Sequence, residues 1–543
     1  MSLIISILLT GILAIAIYNL SLFLRCRAQA KASGFPYFCF PIADTKHWYM
    51  IANLDPVIWI IDNLFPLRLR DYINSSSYTR RWHVSYRLHE KLGDVLLQVS
   101  AAPLSVYIAD ADAAKEVFSG WGNYVKPGWN MDHLRLFGDN VVACEDVDAA
   151  YHRKHVQPPF NERNSALVWQ QSLKQAEDML SLWVTSPVVE KSRVDFRRLA
   201  LHILSSAAFG VNLSFLPKVG IEKNSIFIDG EPKEGYTRSW RHTLEYMAGN
   251  LVEIIAAKSM LPEWAMPDMM SVLRDMRCYI DTLIDGADMK AGVNGNLLSA
   301  IASTGKGDMK YEHIMGNVFI LSVAGQETMS NTMQYAFIML ALNLEAQEWF
   351  ARRLEEQLKD LPENWTYEEA YNRLSAPRCL MYETLRLFPP LPSIVKWTAT
   401  PQTLLGHLIP GNSNISVNLG GLHHNPKYWG DNAAAWDPSR WDFQNKDSFL
   451  GWLEQPMEWA EAPGLWRPRQ GSYYPFSGGG RACLGRKFAM VEFVAVFAKI
   501  MKGKRVRLAE GESMDGAWKK IRRSKALTSL VANEDIIIVL EDR

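Results

Sequence analysis

The cysteine in the stretch FSGGGRACLG, Phe476 to Gly485, stands inside a glycine run with Arg481 two residues before Cys483. Two other short stretches join residue types that can move protons or pair charge. AGQET, Ala324 to Thr328, sets Glu327 beside Thr328, and ETLR sets Glu383 three residues before Arg386. A glycine run can cradle phosphate, make a plain turn, or form a loop that holds a metal by a single thiolate. The phosphate reading fails on spacing: a P-loop needs G-x-x-x-x-G-K-[ST], and here Gly485 is followed by Arg486 and Lys487 with no Ser or Thr after the lysine. Helical sequence, RKFAMVEFVAVFAKIM, begins directly after the loop. A thiolate near a helix N-terminus is stabilised by backbone N–H groups and the helix dipole, which suits it to a metal.

These residues need a scaffold. Helical patterning dominates from about Ala149 to Phe388, and AGQET lies inside an apolar stretch from Ile314 to Leu344. That stretch is long enough to span a bilayer, but Asn317, Gln326, Glu327, Asn331 and Gln334 interrupt it, so it reads as a buried helix of a large soluble domain. Glycine in a helix interior costs roughly 1 kcal/mol relative to alanine, so Gly325 needs a reason, either close packing of a neighbour or function. EAQEWFARRLEEQLKD, Glu345 to Asp360, has the mixed charges of a solvent-faced helix. Strand-like pieces are short: DVLLQVS and SVYIAD near 94–110, NISVNL at 414–419, and DIIIVL at the C-terminus. The fold class is mainly α with a small β portion. Strands and helices do not alternate and no G-x-G-x-x-G occurs, which argues against a built-in nicotinamide or flavin domain.

Composition narrows the partners. Lys+Arg and Asp+Glu balance at 58 each in 543 residues, which argues against nucleic-acid binding. The six cysteines, at 26, 39, 144, 278, 379 and 483, form no C-x-x-C pair, as expected in a reducing compartment, where most cysteines are small buried hydrophobes. Leu3 to Leu24 is free of charge and long enough to cross a bilayer core, and Arg25, Arg27 and Lys31 follow it. The pattern is that of a single N-terminal transmembrane helix with the rest of the chain facing the cytoplasm, because a cleaved signal peptide would carry its basic residues before the apolar run. Residues 1–24 are thus an anchor, 25–50 a connector bent by Gly34, Pro36 and Pro41, and 51–543 the functional domain. N-x-[ST] sites at Asn74, Asn212, Asn364 and Asn414 should stay bare in that orientation.

Phe476, Gly479, Arg481, Cys483 and Gly485 fill the pattern F-x-x-G-x-R-x-C-x-G, which resembles the haem loop of the cytochrome P-450 family. ETLR resembles its E-x-x-R pair, PSRW (Pro438, Arg440, Trp441) its P-x-R-[FW] element, and AGQET its [AG]-G-x-[DE]-T element. The resemblance implies a cytochrome P-450 fold with haem b as cofactor and Cys483 as the axial ligand of its iron. It also implies that Glu383, Arg386 and Arg440 form a buried structural triad; alone, an i, i+3 pair would be an ordinary surface salt bridge. Ala324 and Gly325 would make room for dioxygen, while Thr328 and Glu327 would deliver protons. AYHRKHVQPPF resembles the W-x-x-x-R segment, with Arg153 at the arginine position but Ala149 where tryptophan is usual. Arg153, Arg481 and Lys396 are the expected partners of the haem propionates, although Lys396 could equally be a solvated lysine.

By the same resemblance the protein is a monooxygenase, taking electrons from a separate NADPH-cytochrome reductase and inserting one atom of O2 into a lipophilic small molecule. Its expected place is the endoplasmic reticulum membrane, and its likeness to membrane-anchored fungal enzymes suggests secondary metabolism on a terpenoid, sterol or polyketide. Expected pocket walls are Trp129 to Asn140, Phe319 to Ala324, and Pro389 to Val395. Two rivals are a same-fold isomerase or dehydratase that does not use O2, and a non-catalytic haem-binding protein.

Overall fold

The computed structural model describes residues 2–42, 51–52, 54–120, 122–128, 131–215, 232, 234–287, 296–304, 309–449, 457–526 and 528–543. The first helix, α1 (Ser2–Ser33), leaves Ile7, Ile12, Ile15 and Ile17 more than half exposed, as a helix meant for an apolar solvent would. It does not stop at Leu24. The RCRAQAKAS stretch is rich in good helix formers, so the helix continues until Gly34, which takes φ +80°. Over this last part Cys26 and Ala30 are buried. The residues expected as a bent connector, 25–50, thus hold the end of α1 and a strand, β1 (Tyr37–Cys39), while 43–50 lie outside the described residues.

The chain divides into two units. The first comprises residues 1–130, 391–434 and 468–482. Besides α1 it holds α2 (Asp55–Leu64), α3 (Leu67–Ser75) and α4 (Ala111–Ser119). Its sheet is built from β1, β2 (Val95–Val99), β3 (Ser105–Ile108), β5 (Ser393–Thr398) and β8 (Ser413–Asn418), in the order β1-β2-β3-β8-β5. Every residue of β2, β3 and β8 is buried, the polar ones of SNISVN in β8 included. Phe38, Val84, Leu88, Leu96 and Tyr107 form a core cluster there.

The second unit comprises residues 131–390, 435–467 and 483–543. Its helices are α5 (Asp146–Val156), α6 (Glu162–Thr185), α7 (Ser192–Phe209), α8 (Trp240–Met260), α9 (Pro267–Asp285), α10 (Leu297–Thr304), α11 (Tyr311–Leu342), α12 (Leu344–Leu358), α13 (Ser375–Leu387), α14 (Arg486–Ile500) and α15 (Met514–Ile521). β4 (Val188–Val189), β12 (Ile538–Asp542) and β9 (Lys504–Leu508) make a small antiparallel sheet, and β10 (Lys525–Ala526) pairs with β11 (Leu530–Val531). The apolar stretch from Ile314 is indeed a buried helix: α11 runs through the middle of this unit with α7, α8 and α13 packed along it. α13 is buried along its whole length, and α14, buried nearly all round, packs on α6 and α13 and so fixes the start of the helix after Cys483. Among the described residues helix far exceeds strand, the mainly-α fold the patterning indicated.

Candidate active site

Cys483 lies just before α14, where helix ends leave backbone N–H groups without intrahelical partners. The N–H groups of Gly485 and Arg486 point to its sulfur, and the Arg153 and Arg486 guanidinium groups add positive potential. All four favour a thiolate. Surrounding protein nevertheless pushes the thiol pKa up, the largest influence on it, although the side chain has open accessible surface. Together these describe a sulfur in a recess, deep among protein atoms yet open on one side.

Upstream in the same loop, Gly479 takes φ +63°, and a Cβ there would lie 1.9 Å from the carbonyl oxygen of Phe118 on α4. No other residue fits. The reason for this glycine is thus the close approach of α4, a partner far away in sequence, rather than a flat group alone. Phe118 also meets the Tyr474 ring at 4.4 Å, which pins the run before the glycines. Within this first unit, Phe476 and Arg481 are half-buried, and Lys396 is buried on β5 rather than solvated.

Along α11 almost every side chain from Ile314 to Leu342 is buried, with a local exception. Leu321, Ala324, Gly325 and Thr328 keep accessible surface, and their spacing of i, i+3, i+4 and i+7 puts them on one helical face. Ala324 is the most open of them. Gly325 has a packing role as well, since a Cβ there would come within 3.0 Å of Leu204 on α7. The Thr328 hydroxyl donates to the Ala324 carbonyl at 2.8 Å, which holds it against the open stripe.

Glu327 departs from the expected arrangement. Its neighbour Thr328 is on the open face, but the Glu327 carboxyl is buried and shares a hydrogen bond with Thr528, the residue before Ser529 in the turn of the β10–β11 hairpin. Burial pushes its pKa up, against the opposing pull of Thr528, Arg197 and Ser529. The structure therefore does not bring the carboxyl and the Thr328 hydroxyl together.

The triad does assemble. Glu383, Arg386 and Arg440 are all fully buried. Arg386 donates to both oxygens of Glu383 at 2.8 Å, and Arg440 Nε approaches Oε1 at 3.5 Å. Trp441 Nε1 donates to Oε2 at 2.9 Å and the Asp437 backbone N–H to Oε1 at 2.9 Å. Although burial alone would raise the carboxyl pKa, the guanidinium groups and these donors hold it below the ordinary glutamate value. The tryptophan of PSRW thus completes the carboxylate's hydrogen bonding, a role the motif alone does not show.

Arg153 is half-buried on α5, within electrostatic reach of Cys483, and Ala149 one turn earlier is fully buried. Asn317, met in the sequence only as an interruption of an apolar run, organises an expected pocket wall. Its Oδ1 accepts from the Val141 N–H at 2.9 Å, and Phe137 meets Phe319 at 4.7 Å, so the 137–141 segment is fastened to α11. Trp129 and Asn130 of that wall lie outside the described residues.

The donor chemistry fits a haem. Among the described residues no three His, Cys, Asp or Glu side chains gather as a metal site, so a bare ion has no ligand set there. A haem would need a ligand for its iron from the protein, and Cys483, with backbone N–H groups on its sulfur, would supply it. Fold and site together fit a haem-binding oxidoreductase. A family model for cytochrome P450 matches residues 73–516, and the chain belongs to that family. It is 28% identical to a cytochrome P450 monooxygenase of Penicillium roqueforti, covering 92% of this chain and 91% of the relative. A cytochrome P450 monooxygenase of Penicillium rubens is 27% identical over the same shares, 92% and 91%. A phomenoic acid biosynthesis cluster cytochrome P450 monooxygenase of Leptosphaeria maculans is 23% identical, covering 76% of this chain and 75% of the relative.

Proposed function

We propose that the protein inserts one atom of O2 into a lipophilic small molecule, taking electrons from a separate membrane-bound NADPH reductase. The observation that carries this reading is the open stripe on α11, where Thr328 presents a hydroxyl beside Ala324 in a helix otherwise buried. An isomerase or a haem sensor has no need of a proton-handling hydroxyl at that place. Haem b, when bound, supplies the oxygen chemistry, and a thiolate ligand favours O–O cleavage. The chain's own part is to hold the iron through Cys483, to neutralise the propionates with Arg153, Arg481 and Lys396, and to carry protons through Thr328 and Glu327. Ala324 and Gly325 keep bulk away from the reacting oxygen.

The substrate class we infer is a terpenoid or polyketide of fungal secondary metabolism. Support comes from the apolar expected pocket walls and from the Leptosphaeria relative, whose name places that protein in a biosynthesis cluster. We also place the enzyme on the endoplasmic reticulum membrane with its functional domain in the cytoplasm. Ile5–Ser33 is long and apolar enough to cross a bilayer. Leu54, Trp59, Ile60, Leu64, Phe65 and Leu67 follow with their side chains exposed, an apolar surface suited to the same membrane.

The test is turnover with a reductase, NADPH and 18O2 on candidate lipophilic substrates. A product carrying one 18O atom, formed only with NADPH, is expected. An unlabelled product formed without NADPH would establish the isomerase reading instead.

A further inference from the structure

Segment 137–141 lies backbone against backbone on the first turns of α11. Gly138 takes φ +129°, and a Cβ on it would fall 2.1 Å from the Glu312 carbonyl oxygen. A Cβ on Gly316 would in turn fall 2.5 Å from the Gly138 oxygen and 2.6 Å from that of Asp139. Two glycines, one on each side, make this contact possible. Asn140, fully buried, braces the segment from within, its Nδ2 donating to the Leu134 carbonyl at 2.7 Å and its Oδ1 accepting from the Ala143 N–H at 3.0 Å.

The polar fastening to the helix is the Asn317 amide, and its surroundings fix which way it is turned. Oδ1 accepts from the Val141 N–H at 2.9 Å, whereas Nδ2 faces the His313 carbonyl oxygen at 2.8 Å and the Met309 sulfur at 3.8 Å, neither of which can donate. Turned the other way, the amide would set oxygen against oxygen and NH2 against N–H. The third group beside Nδ2 is His152 Nδ1, on α5, at 2.9 Å. It must therefore accept, which makes His152 neutral with its proton on Nε2. We propose that His152 is a positioning residue: by accepting from Asn317 at Nδ1 it holds that amide, which clamps segment 137–141 to α11 and so fixes one wall of the substrate pocket. This rests on the reading that residues 129–140 line that pocket.

The surroundings of His152 agree. Burial is the largest influence on the ring and takes its pKa down to about 4. Of the titratable groups that face it, His313 on α11, with its ring 5.1 Å away, and His155 on α5 also disfavour a positive charge, while Asp139 in the clamped segment and Asp148 on α5 favour one. The Tyr151 ring meets it edge-on at 5.4 Å, and α10, which also packs on α5, has no titratable side chain. Because the folded value is depressed, the clamp is complete above the ordinary histidine value of about 6.5 and weakens as pH falls towards 4.

Hydrogen–deuterium exchange of the full-length holoenzyme, read by mass spectrometry, tests the clamp without turnover. At pH 7, peptides covering 137–143 should be protected in the native protein. His152→Phe, which keeps a ring without an acceptor, should raise their exchange several-fold, as should Asn317→Leu. His152→Asn returns an acceptor near the Nδ1 position and should restore protection, and peptides of α13 should not change in any variant. After correction for intrinsic rates, going from pH 7 to pH 5 should open the native segment by up to about 20-fold relative to α13, but not that of His152→Asn. For the pocket the probes are two azoles whose binding shifts the haem spectrum: clotrimazole should bind His152→Phe several-fold more tightly than native, and imidazole equally. A His152→Phe protein whose 137–143 exchange matches native would overturn the proposal, as would a His152→Asn protein as open as His152→Phe, or equal opening of α13. Exchange behaving as stated with clotrimazole affinity unchanged would overturn the reading that residues 129–140 line the pocket and leave the clamp standing.

Discussion

Glu383→Gln removes one charge from the buried triad and almost nothing else. In the native protein its carboxylate faces the Arg386 Nη2, Arg440 Nε and Asp437 N–H donors on one oxygen, and Arg386 Nε and Trp441 Nε1 on the other. Whichever way a glutamine amide is turned, its NH2 meets donors rather than acceptors. Two fully buried guanidinium groups also lose their counter-charge. Breaking a buried pair from one side costs about 3–5 kcal/mol. In a unit of several hundred residues each kcal/mol moves Tm by only about 1–2 °C, so we expect a fall of about 3–10 °C by differential scanning calorimetry, with earlier haem loss. The sign with pH follows from the depressed pKa of Glu383. The stabilisation is complete above the unfolded glutamate value of about 4.5 and fades as pH falls through the folded value, so the gap between native and variant closes on acidification. Replacing all three residues by leucine and methionine should recover part of the loss, because it removes the stranded charges. A Glu383→Gln protein that melts within about 1 °C of native at pH 7 would refute the reasoning.

Three further outcomes follow. Thr328→Ala should leave haem content and substrate binding nearly intact while NADPH consumption yields hydrogen peroxide in place of product, with a loss of coupled product of up to about 10²–10⁴-fold; Thr328→Ser should keep most of the coupling. Gly479→Ala should fail to hold the loop, since its Cβ would fall 1.9 Å from the Phe118 carbonyl oxygen at a left-handed φ, and haem content of the purified protein should drop sharply. Deleting residues 1–24 should remove the spanning segment but leave the apolar surface around Trp59, so the truncated protein should come off membranes in alkaline carbonate, where the full chain stays; Asn74, Asn212, Asn364 and Asn414 should carry no sugar in a eukaryotic host.

Much of this architecture is readable in one dimension, for stated reasons. The length of α11 follows from a long apolar run whose polar interruptions do not break the helix, and β2, β3, β8 and the C-terminal strand follow from short β-branched segments between turn residues. The E-x-x-R pair is local, three residues apart on one helix. What local sequence does not carry is the identity of distant partners. The charge and spacing of Glu327 suit a relay with Thr328, yet its hydrogen bond goes to Thr528, 201 residues away. Gly479 is required by Phe118, and Asn317 earns its buried place by binding Val141, neither of which periodicity reveals. The end of α1 was obscured for a different reason: the basic residues that close the membrane segment are also good helix formers, so the helix outlasts the anchor.

The central claim is that Cys483 alone holds the haem iron. The most direct measurement is the absorption spectrum of the reduced, carbon-monoxide-bound protein beside that of Cys483→His at equal protein concentration. The native protein should show the long-wavelength band of a thiolate-ligated haem, and the variant should lack it even where some haem is retained. An unchanged band in Cys483→His would contradict the account.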